Sequence, residues 1–257
     1  MKRFRAFFRG IKNFSRIGWI VFLAAGDFIL RIRLRRKSAG ILARAQWLHR
    51  WSRRVLADLD IRVEQQGNPP VAGVLACNHL SYLDVIVLAA AQPMVFVAKS
   101  EIRHWPVFGR LARWAGTLFV RRDRKSDVTK FNEAFAAVVN QGAILVLFPE
   151  GTSTNGRRVL PFYSSLFEPA AAAGWPVAAA HIGYHLAEGS VENDICYWGD
   201  MTFFPHFLRL LTKKQIRATV AYGPALPAGL NRKEMAQRLH QQVGELAESV
   251  QQLIDNR

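Results

Sequence analysis

The residues with the most chemical content in this chain are Asn78-His79-Leu80-Ser81-Tyr82-Leu83-Asp84. A neutral imidazole can take a proton from a hydroxyl when its second ring nitrogen is fixed by an acceptor, and Asp84 is a plausible acceptor for His79. On one continuous helix, at ~100° per residue, the two would stand about 140° apart and could not share a face. They meet if His79 lies in a turn and Asp84 in the first turn of the helix that follows, so that the carboxylate folds back to the ring. The same letters allow another reading. Ser81-x-x-Asp84 has the form of a capping box, which would leave His79 an ordinary turn residue, and spacing alone does not separate the two.

A second segment, Phe148-Pro149-Glu150-Gly151-Thr152-Ser153, places an acid, a glycine and a hydroxyl behind an apolar run. At a strand end such residues can cradle an anion with backbone N–H groups and one side-chain donor, although Pro-Glu-Gly is also ordinary turn chemistry. A third, Gly116–Arg122, reads as a strand ending in arginines, and arginine suits bidentate phosphate contacts. Other chemistries find less support. Cys77 lies in an apolar strand setting that suits an inert thiol, and two cysteines make neither a disulfide framework nor a four-cysteine zinc site. The seven histidines are scattered, with no pair at zinc spacing, so no metal site is expected.

The elements that would position these residues alternate. Strand patterns at 60–64, 71–77, 94–98, 117–120, 143–148, 177–182, 195–198 and 217–222 are interleaved with helical patterns at 44–58, 85–91, 106–115, 126–140, 164–173 and 203–211. Asn231 and Glu234 repeat the capping-box form and open a last amphipathic helix to Leu253. This predicts one α/β domain, and a chain of 257 residues with 50% apolar content is long and greasy enough to bury its core.

Charge is distributed unevenly. Residues 1–54 carry fifteen Lys and Arg against one acid, Asp27, so this leader holds +14 of the net +16. Within it the apolar run Ile17–Leu30 has 14 residues, shorter than the roughly 20 that a straight membrane crossing needs. Cations follow it at once, which opposes a signal peptide. An interfacial helix is expected, with apolar side chains among acyl chains and arginines among anionic headgroups; the alternative is a buried helix with a solvated basic face. Phe7, Phe8, Phe14 and the run after them are too greasy for a nucleic-acid-binding arm. The expected division is a membrane-associating leader over 1–57 and an α/β domain over 58–257.

Taken together and in this order, the three motifs resemble those of the glycerolipid acyltransferase family, whose best-known bacterial members acylate 1-acylglycerol 3-phosphate. His79 and Asp84 fall on its His-x4-Asp motif, flanked by Asn78 and Ser81. Gly116–Arg122 falls on the second motif, with Arg122 at the phosphate-binding arginine, and Glu150, Gly151 and Thr152 fall on the third, which helps hold the acceptor's phosphate. Pro176-Val177 stands at the fourth, where Ala179 occupies the place of a common second proline.

The resemblance covers roughly 60–224 and implies a mixed sheet flanked by helices. It also implies acyl transfer from acyl-CoA or acyl carrier protein, as substrates rather than cofactors, to a lysolipid hydroxyl at the cytoplasmic face of the inner membrane. His79 would be the base and Asp84 its brace. The first acceptor implied is 1-acyl-sn-glycerol 3-phosphate. Two departures point to a second. Pro161–Ser165 lacks the Lys-x-Gly common in phosphatidate-forming members, and Trp198–Thr202 with Pro205-His206 looks like the branch holding lyso-ornithine-lipid and broad lysophospholipid acyltransferases. A hydrolase using the same pair with water, or a non-catalytic membrane-surface protein, are the rivals from other classes.

Overall fold

Short Val-, Ile- and Leu-rich runs that are buried on both faces pack best as a sheet covered by helices on each side, and this sheet organises the chain. The computed structural model describes residues 2–34, 40–120 and 128–255. Seven strands form one sheet: β1 (Ile61–Gln66), β2 (Gly73–Cys77), β3 (Met94–Lys99), β4 (Leu118–Val120), β5 (Ile144–Leu147), β6 (Val177–Leu186) and β7 (Ile216–Ala225), in the order β1-β7-β6-β2-β5-β3-β4. The pairs β6–β2, β2–β5, β5–β3 and β3–β4 are parallel. β7 runs antiparallel to β6, and β1 is parallel to β7. The sheet is therefore mixed, as expected. The C-terminal ends of β2, β5, β3 and β4 share one edge, and the three sequence motifs follow β2, β5 and β4 there.

Two apolar layers cover the sheet. On one side α2 (Ile41–Asp58), α3 (Leu83–Ala91) and α8 (Phe203–Leu211) contribute to a core with Leu75, Ile182 and Val220. On the other, α5 (Val128–Val139), α6 (Glu168–Ala173) and α9 (Arg232–Asp255) pack against Val74, Leu145 and Val177. The predicted capping box of α9 forms in both directions. Asn231 accepts from the Glu234 N–H at 3.1 Å, and the Glu234 carboxylate accepts from the Asn231 N–H at 3.0 Å.

Three expectations change. The pattern at 106–115 shortens to α4 (Phe108–Trp114), with a separate 3-10 turn before it at Ser100–His104, while the first part of 164–173 is also 3-10. The strand expected at 195–198 does not form. Ser190 caps a short α7 (Val191–Asp194), and the chain then runs as a buried loop fixed by the Tyr197 N–H donating to the Leu80 carbonyl at 2.8 Å. Ile195 and Cys196 are wholly buried there; their burial mimics a strand pattern, but their N–H groups donate to the Val191 carbonyl and not to a neighbouring strand.

The leader begins with one long helix, α1 (Lys2–Phe28), continued by a π turn, Ile29–Arg33. Asn13 donates to the Leu211 carbonyl at 2.9 Å and Arg9 to the Thr212 carbonyl at 2.8 Å, so polar side chains of α1 satisfy the open C-terminal carbonyls of α8. Further along, Ala24, Phe28 and Ile32 pack with Trp47 and Ala115. The side facing away is also apolar: Phe4, Phe7, Phe8, Ile11, Trp19 and Phe22 are all exposed, Phe4 at 68% and Phe22 at 67%. These residues lie about 180° round the helix from buried Asn13, Ile20 and Ala24. No described helix is long and apolar enough to cross a membrane.

Candidate active site

Parallel pairing of β2 with β5 makes neighbours of the turns that follow them. His79 stands two residues past β2, held by its backbone on both sides. Its N–H donates to Glu150 Oε1 at 2.8 Å, and its carbonyl accepts from the Thr154 N–H at 2.9 Å. The ring stacks on Phe148, with centroids 4.0 Å apart at 16°. It is neither buried nor free: 22% of the side chain is exposed.

Nδ1 of His79 lies 2.8 Å from Asp84 Oδ2, with Asp84 fully buried. The same oxygen accepts from the Leu80 and Ser81 N–H groups at 2.7 and 2.9 Å, and Oδ1 accepts from the Tyr184 hydroxyl at 2.7 Å. A carboxylate so placed accepts Nδ1–H, which leaves the Nε2 lone pair as the base. The two readings of Ser81-x-x-Asp84 thereby merge. Asp84 does reach back to the Ser81 N–H, as in a capping box, but the Ser81 hydroxyl has no partner and α3 has no side-chain cap. The carboxylate closes the turn and faces the imidazole at once.

Asn78 fastens this turn to β6. Its amide donates to the Ile182 carbonyl at 3.0 Å and accepts from the Ile182 N–H at 2.7 Å, both buried. Asn78 sits beside His79 in the motif, whereas Tyr184 lies a hundred residues from Asp84 along the chain and carries no local signal of its role.

The third motif divides. Glu150 is buried, and its two oxygens are taken by the His79 and Leu160 N–H groups at 2.8 and 2.7 Å. One backbone donor on each oxygen ties this carboxylate into the His79 turn. Burial raises its pKa, and those two hydrogen bonds pull it back. Gly151 adopts φ 74° in the tight turn that returns its N–H to the Phe148 carbonyl at 3.0 Å. Thr152 is exposed beside it. Arg122 lies outside the described residues. The buried thiol of Cys77 is pushed up by desolvation and by the Asp84 charge, as suits an inert group. Among the described residues no cluster of three or more His, Cys, Asp or Glu is placed to hold a metal.

Glu150→Gln separates a role in the His79 turn from a role on the acceptor's phosphate. An amide can accept from only one of the two N–H groups and must turn its NH2 on the other, leaving a donor unsatisfied. The variant is expected to lose about 2 kcal/mol of stability, read by denaturant titration. Its activity loss should fall mainly in kcat, because the His79 backbone shifts; a loss confined to KM for the acceptor would support the headgroup role.

Comparison with known proteins agrees with this geometry. The sequence pattern of the Acyltransferase family matches residues 60–183. A lyso-ornithine lipid O-acyltransferase of Rhizobium meliloti (strain 1021) is 34% identical over 215 residues, covering 77% of this chain and 74% of that protein. The chain belongs to the acyltransferase family. A lyso-ornithine lipid O-acyltransferase of Pseudomonas aeruginosa is 32% identical across 95% of this chain and 93% of its own length. A 1-acyl-sn-glycerol-3-phosphate acyltransferase of Neisseria meningitidis serogroup B is 38% identical over 53% of this chain and 55% of its own. The crystal structure of the LPA acyltransferase PlsC from Thermotoga maritima superposes with a TM-score of 0.71 at 19% identity, covering 98% of each chain, so the fold is shared along its length.

Proposed function

We propose that this acyltransferase moves a fatty acyl group from a thioester, acyl-CoA or acyl carrier protein, to the free hydroxyl of a lysolipid. The observation that carries the reading is the His79–Asp84 pair at 2.8 Å, with the ring partly exposed and the carboxylate wholly buried. Nε2 of His79 takes the hydroxyl proton as the oxygen attacks the thioester carbonyl. The C–S bond of the tetrahedral intermediate then breaks, and the imidazolium returns the proton to the departing thiolate. No covalent acyl-enzyme is needed.

For the acceptor, 1-acyl-sn-glycerol 3-phosphate is the first reading, with Arg122, Glu150, Gly151 and Thr152 as the residues that would hold its phosphate. Lyso-ornithine lipid is the second. It is favoured by the near-full-length match to the Pseudomonas relative and by Trp198–Thr202. Initial rates with the two acceptors, presented in the same mixed micelles to the purified chain, decide between them; at least tenfold preference for lyso-ornithine lipid would overturn the first reading.

The bilayer is also part of this reading, with residues 1–57 as the membrane-associating leader and the cytoplasmic leaflet as its surface. The exposed stripe of α1 gives the acyl region something to bury, and Arg16, Arg50 and Arg54 rim a groove beside Trp19 and Trp51 where anionic headgroups would lie. Substituting Phe4, Phe7, Phe8 and Ile11 together by serine should weaken binding to anionic vesicles at least about a hundredfold. Vesicle co-sedimentation checks this, and undiminished binding would place the anchor elsewhere.

A further inference from the structure

We propose that Tyr184 is a positioning residue for the acyl transfer, its hydroxyl holding the Asp84 carboxylate so that Oδ2 faces His79. This rests on the reading of His79 as the base. Tyr184 is 5% exposed on β6, with its hydroxyl 2.7 Å from Asp84 Oδ1. If the position only filled the core, phenylalanine would serve without the cost of burying a hydroxyl. Here the hydroxyl supplies the one donor seen at Oδ1, while Oδ2 takes three.

β6 is keyed to the His79 turn at two successive points on the same strand face: Ile182 through the Asn78 amide, and Tyr184 through the carboxylate. A carboxylate held at one oxygen only is free to rotate away from the ring. Held at both, its lone pairs are fixed in direction.

The hydroxyl also draws negative charge towards Oδ1 and so moderates the pull of Asp84 on an imidazolium. Its removal should move the acid limb of kcat/KM to higher pH. Besides His79 and Tyr184, the groups facing Asp84 are His181 on β6, Cys77 at the end of β2, Cys196 after α7, and Glu150 after β5. Burial holds His181 down at about 4 and pushes Cys196 up to about 12, and the phenol of Tyr184 is itself raised well above its usual value, so these groups keep one form across the assay range. Cys77 is raised likewise, and Glu150 is unchanged between the wild type and the position-184 variants.

The test uses the full-length purified protein in mixed micelles of acyl-CoA and 1-acylglycerol 3-phosphate. Tyr184→Phe is expected to lower kcat about tenfold. KM for either substrate should stay within about twofold, and the acid limb should move up by about half a unit. Unchanged kcat and an unmoved limb overturn the proposal, as does a loss confined to KM or to melting temperature. Incorporation of 3-fluorotyrosine at position 184 keeps the shape and strengthens the donor, so the limb should move down. That readout stands even if the phenylalanine variant does not fold, and an unmoved limb there also overturns the proposal. His79→Ala runs alongside. If it keeps wild-type transfer, the base reading falls and this one with it; if it abolishes transfer while both position-184 variants are silent, Tyr184 alone is overturned.

Discussion

His79→Ala leaves a folded protein that transfers acyl groups about a thousandfold more slowly than wild type. The fold survives because the turn is tied by backbone. The N–H of residue 79 still donates to Glu150 and its carbonyl still accepts from Thr154. Asp84 keeps the Leu80 and Ser81 N–H groups and the Tyr184 hydroxyl as donors. What is lost is a stack on Phe148 at a partly exposed position and the Nδ1–H bond to Asp84, together worth about 2 kcal/mol. Activity is more sensitive. Without a base at this point the lipid hydroxyl must attack as the neutral alcohol, and general base catalysis of this kind contributes roughly 10²–10⁴ in rate. Initial rates of thiol release, with a thermal melt on the same sample, check both halves.

Asp84→Asn isolates the charge. Two backbone N–H groups converge on the Oδ2 position, so an amide must place its oxygen there and its NH2 towards Tyr184, whose hydroxyl can turn and accept. The oxygen still accepts Nδ1–H from His79, and the imidazole keeps its useful tautomer. That departs from the case in which an aspartate-to-asparagine change inverts the tautomer. The expected loss in kcat is about a hundredfold, from failure to stabilise the imidazolium. The acid limb of the pH–rate profile should move to lower pH, opposite in sign to Tyr184→Phe. An acid limb that stays in place would mean that Asp84 acts on the turn and not on the ring.

Much of this arrangement was legible in local sequence. The His79–Asp84 spacing defined a turn followed by a helix, the apolar runs marked the parallel strands, and the α9 capping box formed with both of its hydrogen bonds. Features that depend on distant partners were not. Glu150 looks like a ligand residue in a string of letters, and only the pairing of β2 with β5 shows that its oxygens accept from two backbone N–H groups. Tyr184 falls two residues beyond the strand expected at 177–182, and its partner Asp84 lies a hundred residues away along the chain. The burial of Ile195 and Cys196 imitated a strand, although their N–H groups donate to the Val191 carbonyl. In the leader, charge and greasiness were visible, but not that α1 has two apolar faces, one packed on α2 and α8 and one left outward.

The most direct test is to follow thiol release and ester formation together, by the wild-type chain, with the lysolipid present and then omitted. Direct transfer by a histidine base predicts one ester formed per thiol released, and thiol release near the spontaneous rate when the acceptor is absent. Thiol release that continues undiminished without acceptor, with free fatty acid as product, would show that water is the nucleophile and contradict the account.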